Sequence, residues 1–137
     1  MSAVLIIFKS VCAIVGGILG GVVGELDSLF YALIIFVASD YIIGILLAIQ
    51  KRKLSSSVGF KGISRKVLIF ILVAVGNIID KHIFESGSTL RTLIIMFYLS
   101  NEGISILENA TEMGVPIPKK LREVIQKLGN DDDTKKD

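Results

Sequence analysis

The residues best placed to do chemistry lie between Tyr98 and Glu112. At 100° per residue, Tyr98, Asn101, Glu102, Ser105, Glu108, Asn109 and Glu112 fall on one side of a helix, while Leu99, Gly103, Ile104, Ile106, Leu107 and Ala110 occupy the other. Upstream, Asp40 stands near the middle of an apolar run. Carboxylates among residues this apolar do the chemistry of charge at low dielectric. They line water, pair with a cation, hydrogen-bond as neutral acids or meet another subunit, because an unpaired charge near a bilayer centre costs at least a few kcal/mol. Three readings of the Tyr98–Glu112 face stay open: a pore or inter-subunit surface, an amphipathic helix lying on the membrane, and a polar seam buried within the chain. Asp40 fits a helix contact, a watery path or a protonated structural acid, with Lys9 as one candidate partner.

Catalysis finds little support. The single histidine, His82, sits beside Asp80 and Lys81 at the end of an apolar run and reads as interfacial and solvated. No nucleophile elbow, zinc-protease helix, phosphate loop or dinucleotide fingerprint occurs. Cys12 is the only cysteine, within an apolar run, which leaves no intrachain disulfide and no cysteine-rich metal pattern. The chain is read as a non-enzyme with no cofactor and no metal. A net charge of +2 gives no bulk attraction to nucleic acid.

The elements that must position these residues are membrane spans. Of the 137 residues 52% are hydrophobic, and the mean hydropathy is +0.70. That fraction is close to ordinary, but the apolar residues come in long blocks with the charges between them. A span needs roughly 20 such residues at 1.5 Å rise each. The blocks are 3–23, 29–49, 67–84 and 90–107. The third reaches spanning length only if Asp80, Lys81 and His82 sit among headgroups, and the fourth is the most polar. The first carries Lys9 inside its apolar stretch and no small-residue cleavage site, which argues for a span over a secretory signal. The fold expected is all-α: an integral membrane protein with three to four transmembrane helices and a short amphipathic C-terminal helix.

Small residues supply packing faces. Gly16, Gly20 and Gly24 recur every fourth residue, as do Gly17 and Gly21, and Gly44 with Ala48 makes a weaker face in the second block. Such faces let membrane helices approach closely, whether the partner is another helix of the chain or another copy. Lys51, Arg52, Lys53, Lys61, Arg65 and Lys66 form a basic connection between blocks two and three, whereas Glu25 and Asp27 lie between blocks one and two. By the positive-inside rule the Lys51–Lys66 loop faces the cytoplasm and the Glu25–Asp27 turn faces outward. With four spans, both termini are cytoplasmic. If block one or block four lies along the interface, a terminus changes side or a span is lost.

Pro116 and Pro118 separate the transmembrane part, residues 1–110, from a tail helix within 111–129. Leu121, Val124, Ile125 and Leu128 recur at i, i+3, i+4 and i+7, with Gly129 placed to end the helix. Too short to be stable alone, this helix is expected to dock on the membrane surface or on other subunits. Residues 130–137 read as a disordered polar tail.

Several of these segments together resemble a known family. Asp40-Tyr41-Ile42-Ile43-Gly44 runs on through Ile49 to Lys51-Arg52-Lys53. Ser55-Ser56-Ser57-Val58-Gly59-Phe60-Lys61-Gly62-Ile63-Ser64-Arg65-Lys66 follows. Later come Asn101-Glu102-Gly103-Ile104-Ser105-Ile106-Leu107-Glu108-Asn109 and Gly114-Val115-Pro116-Ile117-Pro118-Lys119. Their order and spacing, over roughly Leu29 to Leu128, resemble the toxin-secretion and phage-lysis holin family. The resemblance implies a small phage or prophage protein that oligomerises in the host cytoplasmic membrane and abruptly permeabilises it. A murein hydrolase (an endolysin or amidase) then crosses and the cell lyses. Related members help release large clostridial-type toxins. Many holins have an inhibitor made from a second nearby start. Here the other methionines are Met96 and Met113, so any antiholin is expected to be a separate protein. The reading from a different class is a small channel or transporter subunit, or an accessory membrane scaffold.

Overall fold

The computed structural model describes residues 2–85 and 87–129. The tail expected at 130–137 lies outside the described residues. Five α-helices follow one another: α1 (Ala3–Val23), α2 (Ser28–Gln50), α3 (Ser56–Ile78), α4 (Thr89–Glu112) and α5 (Lys119–Leu128). A π-helical turn, Ile79–Ile83, prolongs α3. The first four helices are each long and apolar enough to cross a membrane. At 1.5 Å per residue, even α1 measures about 32 Å against roughly 30 Å of hydrocarbon.

Local chemistry fixes the helix ends. Asp27 caps α2 by accepting the Phe30 N–H at 2.9 Å, and Ser55 caps α3 by accepting the Val58 N–H at 3.2 Å. Gly24, with φ of 89°, ends α1. The Ser55 cap corrects one expectation from sequence. Only 51–55 connects α2 to α3, so Lys61, Arg65 and Lys66 stand on α3 rather than in a loop. Hydropathy rises only after Lys66, but the polar stretch before it contains no proline and continues the same helix.

The distribution of side chains is the reverse of a water-soluble protein's. Large apolar residues such as Phe8, Ile18, Ile42, Phe60, Leu68 and Phe97 are exposed, while Asp40, Asn77, Asp80, Arg91, Ser100 and Glu102 are buried. Such an exterior suits lipid, which asks for apolar side chains outside and satisfied polar groups within. Among the described residues, no buried side-chain nitrogen or oxygen lacks a hydrogen-bond partner.

The apolar core lies between α2, α3 and α4. Phe30, Leu33 and Val37 meet Ile69 and Val73 of α3 and Ile95 and Leu99 of α4, with Phe30 edge-on to Phe70 at 5.7 Å. The closest association is between α2 and α4, whereas α2 and α3 barely touch. α1 has no buried residue, and its polar ties are all at its last turn. α5 packs against α4 of its own chain. Ile125 is buried against Gly103, where a Cβ would come within 2.7 Å of the Ile125 Cγ2, and the Ser100 hydroxyl donates to the Ile125 carbonyl at 3.1 Å. Leu121 and Val124 of the same stripe stay exposed, so the contact with α4 takes up only part of the face that was expected to dock on the membrane or on other subunits. Glycine at position 103 opens the seat that α5 occupies.

Candidate functional site

The core stripe on each of three helices ends in charge. On α2 it runs Phe30, Leu33, Val37 and then Asp40. On α4 it runs Arg91, Ile95, Leu99 and then Glu102. On α3, Lys66 precedes Ile69 and Val73, and Asn77 and Asp80 follow. Steps of three and four keep all of these on the inward face. Two polar clusters result, one at each end of the apolar core.

The first cluster joins α2, α3 and α4. Lys66 donates to Asp40 at 2.7 Å and to Glu102 at 2.6 Å, with side chains only 16%, 10% and 10% exposed. The Asn109 amide reaches the other Asp40 oxygen at 3.4 Å. Asp40 therefore finds its counter-charge on α3, and Lys9, considered as a partner from sequence, stays exposed on α1. Beside the cluster is a cleft of about 610 Å³, lined on its polar side by Tyr41, Arg65, Tyr98, Asn101, Ser105 and Asn109. Gly44 faces Asn109 across it, and the Tyr41 ring rests on Gly62. Of the residues singled out from sequence, Asp40, Asn101, Glu102, Ser105 and Asn109 come together here. Glu108 is exposed, and Glu112 pairs with Lys51 at 2.5 Å on the surface. Two carboxylates sharing one ammonium can hold three helices together without leaving a buried charge alone.

The second cluster went unrecognised in the sequence. Arg91, 3% exposed, donates from Nε to the Val23 carbonyl at 2.8 Å, from Nη2 to the Glu25 carbonyl at 2.7 Å and from Nη1 to Asp27 at 2.9 Å. Asp80 accepts the Leu90 and Arg91 backbone N–H groups at 3.0 and 2.8 Å, and so holds the first turn of α4. The π-helical turn carries Asp80 into that position, as such turns often do at structured sites. Asn77 donates to the Val22 carbonyl at 3.0 Å. Gly24 completes the seat, since a Cβ there would lie 2.7 Å from the Arg91 Nε. Gly24 thus departs from Gly16, Gly17, Gly20 and Gly21, which have nothing of the chain within 4 Å of an added Cβ. Burial pushes the Asp27 carboxyl up, but hydrogen bonds from Arg91 and the Phe30 N–H, with the guanidinium charge, outweigh it and hold the carboxyl below its ordinary value.

Residues 17–130 of the chain match the bacteriophage holin family. The chain belongs to that family. A probable holin of Bacillus phage phi105 is 35% identical over 96 residues, 70% of each chain. An uncharacterized protein of Clostridium perfringens is 34% identical over 135 residues, 98% of this chain and all of the other. One from Listeria monocytogenes is 46% identical over 110 residues, 80% and 78% of the two chains. No solved structure matches. The holin-family chain is thus a multi-pass membrane protein with a polar cleft between three of its apolar spans.

Proposed function

We propose that this chain acts as a holin of the bacterial cytoplasmic membrane. It accumulates as a bundle of four spans, gathers into homo-oligomers and then permeabilises the bilayer. A murein hydrolase or a large toxin crosses, and the host lyses at a set time. The observation that carries this reading is the polar cleft between α2, α3 and α4, which opens at Arg65 and Asn101 in a bundle whose outer surface is otherwise largely apolar. A single chain can rest in lipid with its buried charges paired, and an assembly can turn the cleft toward water. Membership of the holin family and the phi105 relative's name support the same reading.

Charge supports the orientation. Lys51, Arg52 and Lys53 share the bundle end occupied by Glu112, and Glu25 and Asp27 lie at the opposite end. Basic connections stay in the cytoplasm, which puts the Lys51–Lys53 end and the C-terminus there. A channel within one chain is less well supported. Fully buried Leu33, Val73 and Ile95 stand between the Lys66 and Arg91 clusters, and no polar side chain bridges them.

Induced expression tests the proposal. Membrane potential should hold through a delay and then collapse abruptly, with lysis following only when a murein hydrolase is co-expressed. A gradual loss from the onset of synthesis, or no loss, would contradict it.

A further inference from the structure

We propose that Lys66 is a charge latch: by bridging Asp40 of α2 and Glu102 of α4 it keeps the polar seam of the single chain closed, and its release admits water to that seam. The inference rests on the holin reading for its consequence in lysis timing. Its consequence for the seam itself stands apart from that reading.

The geometry is specific. Two carboxylates on neighbouring helices share one ammonium, at 2.7 and 2.6 Å. Asp40 also has the Asn109 amide at 3.4 Å, and the Asp40 and Glu102 carboxylates stand within hydrogen-bond reach of each other. α3 has little else to hold it to α2 at this level. The Tyr41 hydroxyl reaches the Gly59 carbonyl only at 3.5 Å, and the other contacts between the two helices here are apolar, such as the Tyr41 ring on Gly62. Lys66 also forms a wall. On one side lies the polar cleft with Tyr98, Asn101 and Ser105. On the other lies an apolar groove of about 280 Å³ lined by Ile34, Val37, Ile63, Val67 and Phe70. Lys66, with Tyr41, thus borders both the surface suited to water and the surface suited to lipid.

The charge balance gives the effect a sign. With Lys66 in place the cluster is one positive against two negatives, and each negative has the cation within hydrogen-bond reach. Without it, Asp40 and Glu102 face each other in a low-dielectric seam, and the relief is either separation with hydration or a proton shared between them; the latch requires the first, and unchanged reactivity marks the second. Removing Glu102 does the reverse, because Lys66 and Asp40 then form a neutral pair. A residue with only a packing role would not produce opposite effects from the two changes.

The test uses the full chain in bacterial membranes, with Cys12→Ala and Ser105→Cys as the reporter background. Before lysis onset, Lys66→Gln should raise the reactivity of position 105 toward a water-soluble thiol reagent about tenfold, the change that a coupling of about 1.4 kcal/mol produces. Glu102→Gln should lower it. In cells, Lys66→Gln should bring lysis forward and Glu102→Gln should delay it. The double variant should remove most of the early onset. Equal displacement of both single variants in one direction, or unchanged reactivity in Lys66→Gln present at normal amount, would overturn the latch. If Lys66→Gln does not reach the membrane, the exchange Lys66→Glu with Glu102→Lys decides. Reactivity near that of the parent supports the latch, and an open seam or a failure to insert overturns it. Wild-type chain that leaves cells intact would refute the holin reading, while the reactivity contrast would still judge the latch in isolated membranes.

Discussion

Arg91 is the residue whose removal should loosen the bundle most at its Glu25–Asp27 end. Its guanidinium serves the Val23 and Glu25 carbonyls and the Asp27 carboxylate at once. Arg91→Leu strips these groups of their donors, and each loss of a charged hydrogen bond costs about 1–3 kcal/mol. Detergent-solubilised protein should melt several degrees lower, with Arg91→Lys recovering only part of the loss because a single ammonium lacks the fork. The same pair gives a pH dependence. Asp27 titrates below its ordinary value when folded, so its contribution is fully present at neutral pH and is lost as pH falls through that lowered value. The stability gap between wild type and Arg91→Leu should narrow in strong acid without closing, because the carbonyl bonds do not titrate. A constant gap would show that the Asp27 pairing contributes nothing. Arg91 and Asn77 escaped notice in the sequence because their partners are 55 to 68 residues away. Extending the core stripe past Ile95 and Val73 would have found them.

At the scale of elements, three to four spans and a tail helix were legible because long apolar blocks and a 3.6-residue period survive without tertiary information. The start of α3 was not, since Ser56–Lys66 is polar and its helicity shows only through the Ser55 cap and the pairing of Lys66 across the bundle. The docking of α5 was half legible. Its apolar stripe is plain, but its seat depends on Gly103 of another helix. Ile125→Asp should release α5 and speed proteolysis in the 113–118 connection several-fold, while α1–α4 remain in the membrane. Unchanged cleavage would mean that α5 is held by something other than this contact. α1 makes the complementary case. A Cβ added at Gly16, Gly17, Gly20 or Gly21 would meet nothing of the chain within 4 Å, and small-residue faces pack closely against other helices in lipid. Gly20→Leu should therefore weaken crosslinked oligomers and delay lysis, and unchanged ladders and timing would remove this face from assembly.

Across the described residues, paired polar groups lie buried at both ends of an apolar core, large apolar side chains cover much of the outside, and a polar cleft lies between three of the four spans. The acidic side of α4 was legible as a face, and its arrangement around Lys66 was not, because periodicity gives directions on one helix and says nothing of what stands opposite. Cysteine reactivity across the moment of lysis tests the central claim most directly. In a Cys12→Ala background, cysteines at 105 and 109 should react weakly with a water-soluble reagent during the delay and strongly once the potential collapses, while cysteines at 99 and 107, buried on the apolar side of α4, stay protected throughout. Equal reactivity on both sides of α4, or no change at 105 and 109 when the membrane opens, would contradict the account.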